Sequence, residues 1–210
     1  MKPLLILCAL LLATVAHGDD EGMIKIVYKT VGPEIAPDSF DAQPKTLYRW
    51  GNKSREEAPY DPALKVRALT ISDGKNFWII NQDDHTGGHM MMPPEPHPFY
   101  PLMYLAAEGQ PQRAADFSFG HELAYMTAHQ AKPGKVTTNG VTSTVYETKQ
   151  EGLTLTLIML PGTQTPLGIQ ISDGDHRLAC LCYIEYTKLK PDPMLFQVPA
   201  GVQISEVPQQ

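Results

Sequence analysis

The sequence predicts an α+β protein. Its centre is a curved antiparallel sheet of about eight or more strands, an incomplete β-barrel closed by about two short mid-chain helices. Three observations predict it. Segments of alternating apolar and polar residues recur through both halves of the chain, and period-two alternation is the mark of a strand with one buried face. Two Ile-Ser-Asp-Gly stretches, at residues 71–74 and 171–174, sit between such segments; Asp-Gly supplies the φ > 0 geometry of a tight hairpin. Between the two halves lie apolar stretches with helical rather than strand spacing.

At 210 residues one domain is expected, with a sizeable core. The first 18 residues are read apart from it. Lys2 is a basic start, residues 4–15 are apolar, and Ala16-His17-Gly18 offers small residues for cleavage. That is the pattern of a secretory signal peptide, and the run is shorter than the ~20 residues a membrane span needs. The domain then covers residues 19–210, and an exported, periplasmic protein that is not an integral membrane protein is expected. With the leader removed, 16 basic and 23 acidic side chains remain. An acidic, mixed surface lacks the basic footprint of a nucleic-acid partner.

Residues 24–29 alternate and form the first strand, ended by Gly32-Pro33. Residues 33–45 hold three prolines and read as a loop. Residues 47–50 resume a strand, with a turn at 51–53 and an extension over 54–57. Residues 65–71 and 75–81 flank Asp73-Gly74 as a hairpin. The run 83–101 has five prolines and two glycines, a density that excludes long regular elements. Residues 102–107 then read as a first helix. Residues 119–130 read as a second, because Phe119, Leu123 and Met126 share one helical face and Glu122 falls in the first turn. Pro133-Gly134 closes it. Strands follow over 141–147, 153–160, 167–171 and 178–188, and the proline-punctuated tail is extended.

LYRWGNKSR at 47–55, LTISDGKNFWIINQDD at 69–84 and the ending DPMLFQVPAGVQI at 192–204 resemble the LolA-like lipoprotein carrier superfamily of exported proteins. The resemblance runs from about Ile24 to Ile204, and its C-terminal ending is the more specific part. It implies an incomplete barrel closed by helices around an apolar cavity that receives acyl chains. It implies no catalytic residues and no cofactor. The expected partner is a lipid or acylated protein, with a membrane-associated donor or acceptor. In the resembled fold Trp50, Trp78, Ile80, Met91, Phe99, Tyr104, Leu157 and Met159 line one concave surface; an ordinary closed core is the alternative. Each buried methylene contributes ~0.8 kcal/mol, so a dozen offer ~10 kcal/mol before the costs of association.

A second reading uses His85, His89 and the methionines Met90–Met92, with His97 downstream. Imidazole and thioether suit copper, and imidazole suits zinc; a methionine-capped apolar loop is the plainer account. His121, Glu122 and His129 read as surface helix residues, and the Asp83-Asp84 and Asp173-x-Asp175 pairs as turn carboxylates. Cys180 and Cys182 face the same way on a strand, with Cα atoms near the upper limit for a bridge. They read first as two small buried apolar side chains, and otherwise as a strained redox bridge or a metal pair. No phosphate loop, G-x-S-x-G or C-x-x-C is present, so a non-enzymatic protein is expected, with a hydrolase as the remaining possibility.

Overall fold

A computed structural model describes residues 22–91, 102–105, 111–114, 117, 119–150 and 152–207, with the backbone alone for 102–105, 111–114 and 150. The fold is mostly β. The first strands are β1 (Met23–Val31), β2 (Lys45–Trp50), β3 (Lys53–Asp61), β4 (Val66–Ser72), β5 (Asn76–Asn81) and β6 (Thr86–Met91). A separate two-stranded hairpin pairs β7 (Leu102–Leu105) with β8 (Pro111–Ala114). After α1 (Glu122–Ala128) come β9 (Lys132–Thr138), β10 (Val141–Gln150), β11 (Leu153–Met159), β12 (Pro166–Asp173) and β13 (His176–Leu189). A 3-10 turn at Pro193–Phe196 leads to β14 (Gln203–Glu206).

Twelve of the strands form one open sheet, in the order β14-β6-β5-β4-β3-β2-β1-β13-β12-β11-β10-β9. All its pairings are antiparallel except β14 beside β6. The α+β class expected from sequence is therefore overturned: among the described residues there is one α-helix, of 7 residues. The stretch read as a first helix holds β7 instead. Leu102 to Leu105 pair with Ala114 to Pro111, so a neighbouring strand satisfies the backbone that a helix would have satisfied internally. The second helix is shorter than expected. Gln130 adopts φ 54° and the Ala131 N–H donates to the Met126 carbonyl, which closes the last turn. Pro133 and Gly134 do not end a helix; they lie inside β9, at the sheet's edge, where a missing N–H costs no ladder bond.

The ladder registers assign the faces. Ile26 stands opposite Leu47, Leu47 opposite Glu56, and Glu56 opposite Thr70. On the other side of β1, Ile26 stands opposite Tyr186 and Tyr28 opposite Tyr183. These residues share a first face. Phe117, Phe119, Tyr125 and Met126 cover it over β1 and β11–β13 and bury Leu155, Leu157, Ile169, Ile171 and Leu181. The neighbouring row, Tyr48–Arg55–Ile71–Trp78, lies on the opposite face. There Leu69, Ile71 and Ile80 form a second core with Trp78, Val198 and Val202. One sheet thus carries two cores back to back. The helix segment covers one, and Val198 and Val202 cover the other.

Candidate functional site

One cavity lies at one end of the first face. It occupies about 740 Å³, within the ~300–1,000 Å³ range of small-ligand sites. Ile24 of β1, with Tyr186 and Lys188 of β13, forms the sheet side; Gly120 and His121 precede α1; Gln164 and Thr165 come from the β11–β12 loop. Lys188 pairs with Ile24 across the ladder, so its ammonium rises from the same face as the apolar floor. Gly120 is held at φ +84°, with the space above it closed by Arg49 and Ile24. The lining includes Lys188 and His121 and no carboxylate, in a chain whose net charge is −6.

Behind Tyr186 lies a buried carboxylate. Glu122 accepts the Gly120 N–H at 2.8 Å and the Tyr183 hydroxyl at 3.0 Å on Oε1, and the Tyr186 hydroxyl at 3.3 Å on Oε2. Burial raises its pKa against these three donors, and burial beside the Glu122 charge raises both tyrosines. A satisfied, inaccessible carboxylate of this kind shapes the cavity wall. Residue-by-residue reading missed the network, because it depends on a strand irregularity that leaves no local signature.

A smaller cavity of about 230 Å³ lies over β3 and β4 on the same face, lined by Phe40, Leu64, Val66 and Ala68 among others. Glu56 and Lys45 project into it. The Tyr28 hydroxyl donates to Glu56 Oε1 at 3.1 Å, yet burial pushes the carboxyl up to about 7. Lys45, 7% exposed, donates to the Phe40 carbonyl at 3.1 Å and lies over the Phe40 ring; burial lowers its pKa.

The residues expected to line one surface are divided between the two faces. Trp50 lies tilted at 45° against Phe196, with ring centroids 6.2 Å apart, and Lys53 sits over its ring. Trp78 stacks on His89, and Ile80 is buried in the second core. Met91, two positions along β6 from His89, is 64% exposed. Leu157 and Met159 belong to the first core instead. Period-two alternation explains the split: each side chain is apolar, but the registers send them to opposite sides. Phe99 and the side chain of Tyr104 lie outside the described residues.

The His/Met residues are not gathered either. His85 is exposed in the β5–β6 turn at φ 57°. His89 has both ring nitrogens engaged: Nδ1 meets Glu206 at 2.8 Å and Nε2 meets Asn76 Oδ1 at 3.0 Å. Met90, the next residue on the strand, points to the other face. Among the described residues no group of three or more His, Cys, Asp or Glu side chains is placed to hold a metal ion. Met92, His97 and the leader lie outside the described residues.

The fold defines a mostly-β protein whose main body is one open sheet of twelve strands. No family model matches the chain, and no curated protein matches it. Among solved structures it is similar to an uncharacterized conserved protein from Thermus thermophilus, with a TM-score of 0.52 and 12% identity, over 90% of this chain and 93% of that one. That likeness concerns the fold alone. A second structure, PNGF-II, aligns with a TM-score of 0.39 and 11% identity, over 89% of this chain and 32% of that one, and supports no inference. Among the described residues no helix is long and apolar enough to cross a membrane.

Proposed function

We propose that the protein is an exported, periplasmic, non-enzymatic binding protein for an amphiphile with an acyl chain and an anionic end, such as a fatty acid or the acyl portion of a lipid or lipoprotein. The observation that carries this reading is the mixed lining of the 740 Å³ cavity: Ile24 and the Tyr186 ring offer an apolar patch, His121, Gln164, Thr165 and Thr187 offer hydrogen-bonding groups around it, and Lys188 stands at its side with no carboxylate in the lining. The volume suits a chain of about a dozen methylenes, each contributing ~0.8 kcal/mol on burial. Lys188 supplies the charge for the head group. A membrane-associated donor and acceptor would complete a carrier cycle.

The test is displacement of anilinonaphthalene sulfonate by dodecanoate, followed by fluorescence. Thr165→Trp, which fills the cavity from a surface loop, should abolish dodecanoate binding. Lys188→Glu should weaken dodecanoate severalfold and leave dodecanol unaffected. Wild-type affinity in both folded variants would remove the cavity from consideration.

A further inference from the structure

Cys180 and Cys182 belong neither to the cavity nor to either core's centre. Both stand on the opposite face of β13, because their neighbours Leu181 and Tyr183 point into the first core. Their sulfurs are 3.2 Å apart. Cys180 is buried and Cys182 is partly open to solvent. Lys29 stands directly opposite Cys182 on β1, and Gly168 stands opposite it on β12. A Cβ on Gly168 would lie 2.5 Å from the Leu181 carbonyl oxygen; the site therefore has glycine, and no side chain shields Cys182 from that strand. The cations nearest in effect are Lys29 and Arg177.

We propose that Cys180 and Cys182 are a reversible dithiol–disulfide couple that exchanges with external disulfides, Cys182 attacking and Cys180 resolving. The electrostatics agree with that division of roles. The hydrogen bond from the Cys180 thiol, helped by Lys29 and Arg177, lowers the Cys182 pKa. The same bond and burial push the Cys180 thiol up. The thiolate is the nucleophile in exchange.

In the first step the Cys182 thiolate attacks one sulfur of a disulfide such as glutathione disulfide. A bond forms between Cys182 Sγ and that sulfur, the external S–S bond breaks, and one glutathione thiolate leaves. Cys180 then loses its proton to the departing thiolate and attacks Cys182 Sγ. The intramolecular S–S bond forms, and the second glutathione leaves. Two cysteine thiols are oxidised and one disulfide is reduced to two thiols. Two residues apart on a strand, the Cα atoms are ~6.6 Å apart, near the limit a bridge tolerates. The bridge is therefore of the labile, exchangeable kind rather than the structural kind.

The experiment equilibrates the full chain in glutathione buffers of graded poise. Free thiols are then alkylated, and peptide mapping reads Cys180 and Cys182 separately from Cys8. The expected result is concerted protection of both positions, a mass lower by two hydrogens, and full reversal in reducing buffer. In Cys180→Ser a single glutathione should remain on Cys182; in Cys182→Ser, Cys180 should stay unmodified. Independent alkylation of the two cysteines in oxidising buffer, or a stable glutathione adduct on the wild-type chain, would overturn the proposal. The wild-type measurement decides the matter even if a variant fails to fold.

Discussion

Tyr183 and Tyr186 are three residues apart on one strand, yet their hydroxyls reach the two oxygens of the same carboxylate, Glu122. Strict alternation would send them to opposite faces. A register shift makes the convergence possible. Val27 pairs with Glu185 and Tyr28 with Tyr183, so Ile184 is an extra residue in β13. The bulge resets the alternation and leaves Ile184 56% exposed on the far side.

The two hydroxyls are unequal. Tyr183 is buried and its bond is the shorter. Tyr183→Phe should cost ~1–3 kcal/mol, because a buried carboxylate oxygen loses a donor. Tyr186→Phe should cost less, since the Tyr186 hydroxyl makes the longer bond and its side chain is only half-buried. Urea denaturation of both variants measures the difference, and equal losses would place the two hydroxyls in equivalent surroundings.

Stability should fall as pH rises from about 4.5 to about 7. Burial moves the Glu56 carboxyl from 4.5 up to about 7 and also raises Glu122. A carboxyl raised in this way binds its proton more tightly in the folded state. Its contribution is complete below the unfolded value and lost as pH climbs through the folded one. Each unit of that interval is worth at most ~1.4 kcal/mol for Glu56. Glu56→Gln should flatten the slope between those limits, read by thermal melts across pH. An unchanged slope would assign the pH dependence elsewhere.

His89 ties β14 to the sheet. It bridges Glu206 and Asn76 and stacks on Trp78. Asn76 Nδ2 donates to Asp73, which turns its Oδ1 toward the imidazole. His89→Ala should loosen β14 locally. The Gln203 and Val207 amides, which donate to the His85 and His89 carbonyls, should lose roughly tenfold in hydrogen-exchange protection, ~1.4 kcal/mol, while β11 and β12 stay protected. Uniform loss over the whole sheet would mean that His89 supports the fold globally.

Two glycines should respond differently to alanine. At Gly168 the new methyl would meet the Leu181 carbonyl oxygen at 2.5 Å, and the backbone of β12 or β13 would have to move, at a cost of ~2–4 kcal/mol. At Gly162, in open space with φ +71°, the cost is conformational alone, about 1 kcal/mol. Denaturation midpoints of the two variants test the ordering.

Much of the sheet was legible in the sequence, because alternation and Asp-Gly turns are local signals. The hairpin around Asp73-Gly74 is there: Asp73 Oδ1 accepts the Lys75 and Asn76 amides, and Gly74 has φ +94°. The errors cluster where tertiary pairing overrides a local signal. β6 was hidden in the run beginning at Asp83, although Thr86 to Met91 pair with β5 before the prolines begin. β9 was hidden by Pro133-Gly134, a terminator for a helix but acceptable at a sheet edge. The site was less legible. Trp50 and Leu157 are both apolar and both partly or wholly buried, and only the cross-strand registers reveal that they lie on opposite faces. Ile24, Tyr186 and Lys188 meet at the cavity because β1 pairs with β13, strands separated by most of the chain.

That pairing, and the late arrival of β14, bear on how the chain reaches its final form. The first core's ladder joins Met23 to Leu189, and the second core closes only when Val198 and Val202 settle against β4 and β5, with Phe196 beside Trp50 of β2. Both events wait for residues 180–202. A nascent chain therefore carries exposed apolar surface on two sides until those residues have been made. Contacts of such long sequence separation slow folding, because loop closure precedes the contacts that reward it. Removing the last fifteen or so residues would leave Leu69, Ile71 and Ile80 uncovered, so aggregation during biogenesis is this protein's characteristic risk.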